Sequence, residues 1–242
     1  MKKVLVYDTV VRIFHIIFIF TFLFSFIVAK TVDDESLLYC YHMISGLIMG
    51  AAILGRIAWG LMGSRYARFS DMPFHPKKLL EYLLSLPQKE AKKFAGHNPA
   101  SSWAMLGFFA LGLLLTMSGI MMASGYKEEV EDIHELFANG MILLVIAHIL
   151  GVAAHTLKHK DPIALSMVSG EKNLEQNDAS IPHSYLPSGI IYLLIISLFA
   201  GYLFSNFERT TKTLQIGKIN LQLGESDSED SGDEEVLDEA GE

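Results

Sequence analysis

A chain of 242 residues with 51% hydrophobic side chains and only 19% charged ones is too apolar for an ordinary soluble domain. Its net charge of −8 comes from an acidic C-terminal stretch, without which the chain is close to neutral, and no nucleic-acid partner is expected. The single cysteine, Cys40, excludes an intramolecular disulfide, a Cys-x-x-Cys pair and the Cys-x-x-Cys-His site that attaches a c-type haem covalently.

The apolar residues are bunched into runs of the length that crosses a hydrocarbon core, roughly 17–25 residues. The first is Val10–Ala29, behind Lys2 and Lys3. It is longer than a signal-peptide core and carries Arg12 and His15, so it reads as a retained span. The second, Tyr39–Met62, carries His42 one turn before Gly46, then Gly50, Gly55 and Arg56. The loop 63–101 has basic, Pro-containing stretches (Met72–Pro76 and Leu86–Lys93), where short interfacial helices such as Pro76–Ser85 are expected. Asn98-Pro99 suits a turn into the third run, Ser102–Ala123. The fourth, Ile133–Leu157, holds His134, His148 and His155, and the fifth is Pro187–Phe207. None shows the two-residue alternation of a barrel strand, so all five are predicted helices. Residues 208–242 read as an acidic, disordered tail. Its last part, 225–242, has ten acidic side chains and no basic one, and is either a solvated end or a docking patch for a basic partner.

Loop charge orients the spans. With the N-terminus inside, fourteen Lys and Arg fall on inner segments and helix ends and five on outer ones. The short outer loops are acidic instead, through Asp33, Asp34 and Glu35 and through Glu128, Glu129, Glu131 and Asp132. The positive-inside rule then predicts a cytoplasmic N-terminus and a periplasmic tail in a bacterial inner membrane.

An imidazole within a membrane span needs a bonding partner. Four of them, His15, His42, His134 and His148, match the axial ligands of two six-coordinate haems. His134 and His148 lie fourteen residues apart, on one face of their helix and about 21 Å apart along its axis. Helix rise and direction pair His42 with His134 near the outer surface and His15 with His148 near the inner one. His155, two turns beyond His148, is an alternative inner ligand, a quinone-site residue or a propionate contact. Arg12 and Arg56 at inner helix ends either meet a propionate or simply anchor the helices. Gly46 leaves room for a flat macrocycle beside His42. The remaining histidines, His75, His97, His159 and His183, fall in loops or at interfaces.

Several motifs stand in a specific order: Tyr-Asp-x-x-x-Arg-x-x-His (Tyr7 to His15), His-x-x-x-Gly (His42 to Gly46) and Gly-Arg-Ile-Ala-Trp-Gly-Leu-Met-Gly-Ser-Arg-Tyr-Ala-Arg-Phe (Gly55 to Phe69). Gly-His-Asn-Pro-Ala (Gly96 to Ala100), His-Glu-x-x-Ala-Asn (His134 to Asn139), His148 and Met-Val-Ser-Gly-Glu-Lys (Met167 to Lys172) follow. In this order the chain resembles the bacterial cytochrome b561 family, which includes the b-type cytochrome subunits of nickel–iron hydrogenases. The resemblance covers about residues 4–173. It implies an all-α, integral-membrane four-helix bundle holding two non-covalent b haems on His15, His42, His134 and His148. It further implies electron flow between a donor at one surface and a quinone or second acceptor.

The expected organisation is therefore a di-haem domain over 1–173, a linker and added fifth span over 174–207, and the tail. The expected function is respiratory electron transfer between a periplasmic partner, such as a c-type cytochrome or a dehydrogenase or hydrogenase subunit, and the quinone pool. Two rivals differ in kind. One is a stand-alone oxidoreductase passing electrons from superoxide or a small donor to quinone. The other is a haem-free transporter or scaffold using the histidines as a proton relay.

Overall fold

The computed structural model describes residues 2–85, 94–159, 163–174 and 180–224. Five of its helices are long and apolar enough to cross a membrane: α1 (Thr9–Thr31), α2 (Leu37–Met62), α4 (Pro99–Ala123), α5 (Lys127–His159) and α7 (Leu186–Ser205). The five predicted runs correspond to them one for one. Three of them begin where a side-chain oxygen satisfies a free backbone N–H of the helix start. Asp8 caps α1 through Val11 N, Ser36 caps α2 through Tyr39 N, and Asn98 caps α4 through Ser101 N, with Pro99 in its first turn. The largest boundary shift is in α5. It starts six residues before the apolar run, because Glu128 and Glu129 suit a helix N-terminus even outside lipid. The interfacial helix α3 spans Pro76–Ser85, as predicted, and α6 spans Ile163–Ser169. The stretch Leu86–Lys93 lies outside the described residues.

Helices α1 and α2 form an antiparallel pair zipped by polar bonds that need no water. Ser25 Oγ donates to His42 O and Ser45 Oγ donates to Thr21 O. Gly50 permits the close crossing of α2 with α4, since a Cβ there would lie 2.6 Å from Thr116 Cγ2. Helix α7 lies on α1 and α2, and Tyr192 Oη donates to the Ala52 carbonyl. The apolar core between these helices is Phe14, Phe18, Met49, Ile53, Phe109 and Ile196, and Met141 of α5 reaches into it. Helix α5 differs. It packs along α4 and, among the described residues, makes no comparable contact with α1 or α2. The helix that carries His134 and His148 thus stands apart from the helices that carry His15 and His42.

Two small sheets close the ends. Strand β1 (Lys2–Leu5) pairs antiparallel with β2 (Glu171–Leu174). At the opposite end, β3 (Phe207–Glu208), β4 (Thr213–Ile216) and β5 (Ile219–Gln222) form a three-stranded antiparallel sheet. This corrects the expectation of a disordered tail from residue 208: order continues to Gly224, and 225–242 lie outside the described residues. The reason is hydrophobic alternation. Leu214, Leu221 and Leu223 are buried against Cys40, Ile44, Ala123 and Leu203, while Gln215 and Gln222 face out. Gly217, at φ +60°, supplies the left-handed turn between β4 and β5. Both the alternation and the Gly-Lys turn are visible in the sequence. The acidic composition of the following residues outweighed them.

Candidate functional site

His42 on α2 and His134 on α5 face each other at the β3–β5 end. Their ring centroids are 6.4 Å apart, with planes inclined at 67°. A metal–imidazole nitrogen bond is about 2 Å, and the ring centre lies about 1 Å behind the nitrogen, so one metal between two imidazoles separates their centroids by about 6 Å. An ordinary edge-to-face ring pair spans roughly 4.5–7 Å, so the spacing is compatible both with direct contact and with two imidazoles that would hold one iron between them.

Their hydrogen bonds set the tautomers that ligation needs. His42 Nδ1 lies 2.7 Å from the Ser25 carbonyl, which can only accept, so Nδ1 carries the proton. His134 Nδ1 lies 2.8 Å from Ser118 Oγ. That hydroxyl directs its one proton to the Leu114 carbonyl, 2.8 Å away, and so accepts from His134. In both rings Nε2 is left with its lone pair free, the state in which imidazole binds a metal. Helix α4 supplies this orienting hydroxyl.

The slot between the rings is lined by Gly46, Leu47, Leu115, Thr116, Gly119 and Ile120, and encloses about 60 Å³. A Cβ on Gly46 would meet nothing within 4 Å, so the space beside His42 is open. Met43 and Met122 also line the slot, and these flexible side chains must swing aside for a porphyrin to enter.

His15 and His148 lie deeper toward the β1–β2 end, within electrostatic reach of each other. Phe108 sets its edge against His148, with centroids 5.5 Å apart, and also contacts Phe18. His155 is half-buried two turns further along α5. The structure thus brings the rings of the first pair, on α2 and α5, face to face and places the second pair on α1 and α5.

Beyond the second pair, segments distant in sequence meet in one knot. The N–H groups of Val6 and Tyr7 donate to Gly170 O, and Arg12 Nη2 donates to Val168 O. Gly170 is required there, because it adopts φ +83° and a Cβ would lie 2.8 Å from Tyr7 O. Lys172 Nζ sits 4.9 Å above the Tyr7 ring and donates to the carbonyls of Ala95 and Gly96. Asp8, 0% exposed, accepts from Trp59 Nε1 at 2.9 Å and from Ser64 Oγ at 2.5 Å, besides capping α1. Arg56 is 1% exposed, and its Nη2 donates to Ala67 O. The motifs around Tyr7, Trp59, His97 and Gly170 are therefore one physical unit.

Four buried side-chain nitrogens have no partner among the described residues: Arg12 Nε, Arg56 Nη1, His97 Nδ1 and Trp103 Nε1. All four belong to segments at this end of the bundle. A desolvated donor left unmet costs about 1–3 kcal/mol, more when charged, so the three obligate donors of the set, on Arg12, Arg56 and Trp103, fit an anionic or acceptor-rich group.

The family model described as prokaryotic cytochrome b561 matches residues 6–170. The chain belongs to the prokaryotic cytochrome b561 family. A b-type haem is the cofactor that membership implies, and the residues fit it: two imidazoles facing each other across a slot, open space beside Gly46, and unmet guanidinium nitrogens on Arg12 and Arg56 at the other end. Relatives include the probable Ni/Fe-hydrogenase B-type cytochrome subunits of Rhodobacter capsulatus, 25% identical over 164 residues (56% of this chain and 63% of the relative), and of Azotobacter chroococcum, 23% identical over 158 residues (53% and 65%). The corresponding subunit of hydrogenase 1 from Escherichia coli K12 is 24% identical over 162 residues, 54% of this chain and 68% of the relative. The chain thus spans less than two thirds of the first two relatives' length. No solved structure matches it. Within this cytochrome b561 chain, α7 and the β3–β5 sheet lie outside the matched region.

Sequence reasoning passed over three residues of the two sites. Ser118 gave no signal, because a serine in an apolar helix is common. Asp8 was legible as a cap position, but its bonds to Trp59 and Ser64 cross the fold. His97 stood in a motif without a role. The structure places its ring edge-on to Tyr7, with centroids 5.9 Å apart. Burial, and then the charges of Arg56 and Lys172, hold its pKa well below the ordinary imidazole value. Folded His97 therefore stays neutral at a pH where the unfolded chain binds a proton, so stability is present above about pH 6.5 and is lost as pH falls below it. His97→Gln is expected to remove a slope of at most about 1.4 kcal/mol per pH unit from the acid side of the stability profile. Denaturant unfolding of the detergent-solubilised protein between pH 7 and 5 measures it, and parallel profiles for parent and variant would refute the assignment.

Proposed function

We propose that this protein is a di-haem b-type cytochrome that carries electrons across the bacterial inner membrane. The observation that carries the reading is the His42–His134 pair, with ring centroids 6.4 Å apart and both Nδ1 atoms engaged in hydrogen bonds. One haem is held by these two at the outer end. The second is held by His15 and His148, with Arg12 and Arg56 toward its propionates and His155 as a contact below it. The haem supplies one-electron chemistry, and its potential is set by axial ligation, burial and hydrogen bonding. The chain fixes two sites in one rigid helix, α5, and keeps water from both.

The inner end is cytoplasmic and the β3–β5 end periplasmic, as the charge asymmetry of the loops supports. The acceptor or donor at the inner end is the quinone pool. The partner at the outer end is a soluble or membrane-bound redox protein. Likeness to hydrogenase cytochrome subunits supports a hydrogenase in that role, and a c-type cytochrome or another dehydrogenase subunit has the same chemistry.

The test is a reduced-minus-oxidised spectrum and a pyridine haemochrome count on the purified chain. Two haems b per chain are expected, reducible by hydrogen in membranes that also contain the partner hydrogenase and by quinol in either case. A single haem would overturn the inner pair, and a colourless preparation the whole reading.

A further inference from the structure

The outer site has a wall that the matched region of the family does not supply. Leu221 and Leu223, 2% and 1% exposed, come from the end of the β4–β5 hairpin and line the same slot as His42, Gly46 and His134. The hairpin is fastened to the helices at several points. Leu223 N donates to Lys212 O at 2.8 Å, and Lys212 Nζ donates to Glu35 O at 2.9 Å. The Cys40 thiol points its Sγ at Leu223 O, 3.6 Å away. Gly217 N donates to Tyr202 Oη at 3.1 Å, which ties the turn to α7. Helix α7 is itself anchored on α1, where Gly189 is close enough that a Cβ would lie 2.4 Å from Thr9 Cγ2. A fifth span thus delivers a two-stranded cap to the mouth of the outer site and holds it there.

We infer that the β4–β5 hairpin is a specificity element: its leucines seal the outer haem edge against small water-soluble electron donors. It rests on the reading that His42 and His134 hold a haem. The physical ground is that the slot wall facing the outer surface is hydrocarbon rather than water. A hydrocarbon wall keeps a solvated anion from the macrocycle edge and lowers the local dielectric, which disfavours the more highly charged ferric state. Electrons from a docked protein need no solvent path to the edge and are still accepted. The chain is accordingly built for a protein donor, and the small-donor oxidoreductase is disfavoured.

The test uses the full-length chain with Leu221→Ala and Leu223→Ala together, and Leu214→Ala as a control. Leu214 is fully buried in the same hairpin but is absent from the slot lining. Oxidised protein is mixed with dithionite or ascorbate in a stopped-flow instrument, and haem is counted on each sample. The double variant is expected to keep the parent's haem content and to reduce its outer haem about tenfold faster, with a lower midpoint potential. The control is expected to match the parent. Equal rates in parent and double variant would overturn the cap, as would equal acceleration by the control. If the double variant sheds the outer haem, the leucines clamp the cofactor rather than gate its donors, and the inference fails. A parent without haem at the outer site would instead defeat the underlying assignment, and the haem count separates the two failures.

Discussion

Replacing His42 or His134 with leucine is expected to lower the haem content from the proposed two per chain to one, and the double replacement to lower it no further. The two rings share one iron in the proposed site, so either loss removes half of a bis-imidazole clamp. Met43, Met122 and Tyr39 also line the slot, and a haem retained on one of them would show a shifted potential in the titration. Replacing His15 or His148 removes the other haem. The decisive experiment is the pairing itself: haemochrome counts with redox titration on four single and two double variants. If His42→Leu and His15→Leu abolish the same spectral component, the depth assignment is wrong. If His148→Leu leaves both haems and His155→Leu removes one, the inner ligand moves two turns down α5. Ser118→Ala adds a finer arm. It leaves His134 with an unmet Nδ1 proton, so weaker retention of the outer haem is expected with no change in the inner one.

Asp8→Ala is expected to be the most destabilising change in the chain outside the ligands. Asp8 is a buried carboxylate that caps α1, receives the Trp59 and Ser64 donors and lies within electrostatic reach of the Arg56 guanidinium. Removing it strands three donors and leaves a buried cation without its counter-charge, a loss of about 3–5 kcal/mol. For a chain of this size that is roughly a 10 °C fall in the unfolding midpoint. Asp8→Asn keeps acceptor oxygen but not charge, and is expected to fall between parent and alanine. Because the knot encloses the orphaned nitrogens of Arg12 and Arg56, the inner haem should loosen before the outer one. A thermal melt followed at both haem bands reads order and magnitude. An alanine variant as stable as the parent would show that the network is decorative.

The parts of this fold that were legible share a local cause. A run of apolar residues declares a span because lipid leaves the backbone no other partner than itself. Asn98-Pro99 declares a helix start because a side-chain oxygen and a fixed φ act within four residues. The depth of each histidine follows from helix rise, and the structure brings His42 and His134 together as rise and direction require. What was not legible depends on residues far apart along the chain. The strands Lys2–Leu5 and Glu171–Leu174 have no strong pattern of their own and become strands by pairing with each other. Ser118 orients His134 only because α4 and α5 lie side by side. The hairpin after α7 had a readable alternation, but the sequence says nothing about what its leucines cover.

Taken alone, the amino-acid order determined the class of molecule, the five crossings and the depth at which each imidazole enters the membrane, because these follow from solvent and helix geometry within single segments. Tertiary structure decided which nitrogen of His42 and of His134 is free, that Asp8 and Arg56 share one buried network, and that a C-terminal hairpin covers the outer slot. Each of these is a meeting between groups on different helices or strands, and only packing sets the distances at which such groups act.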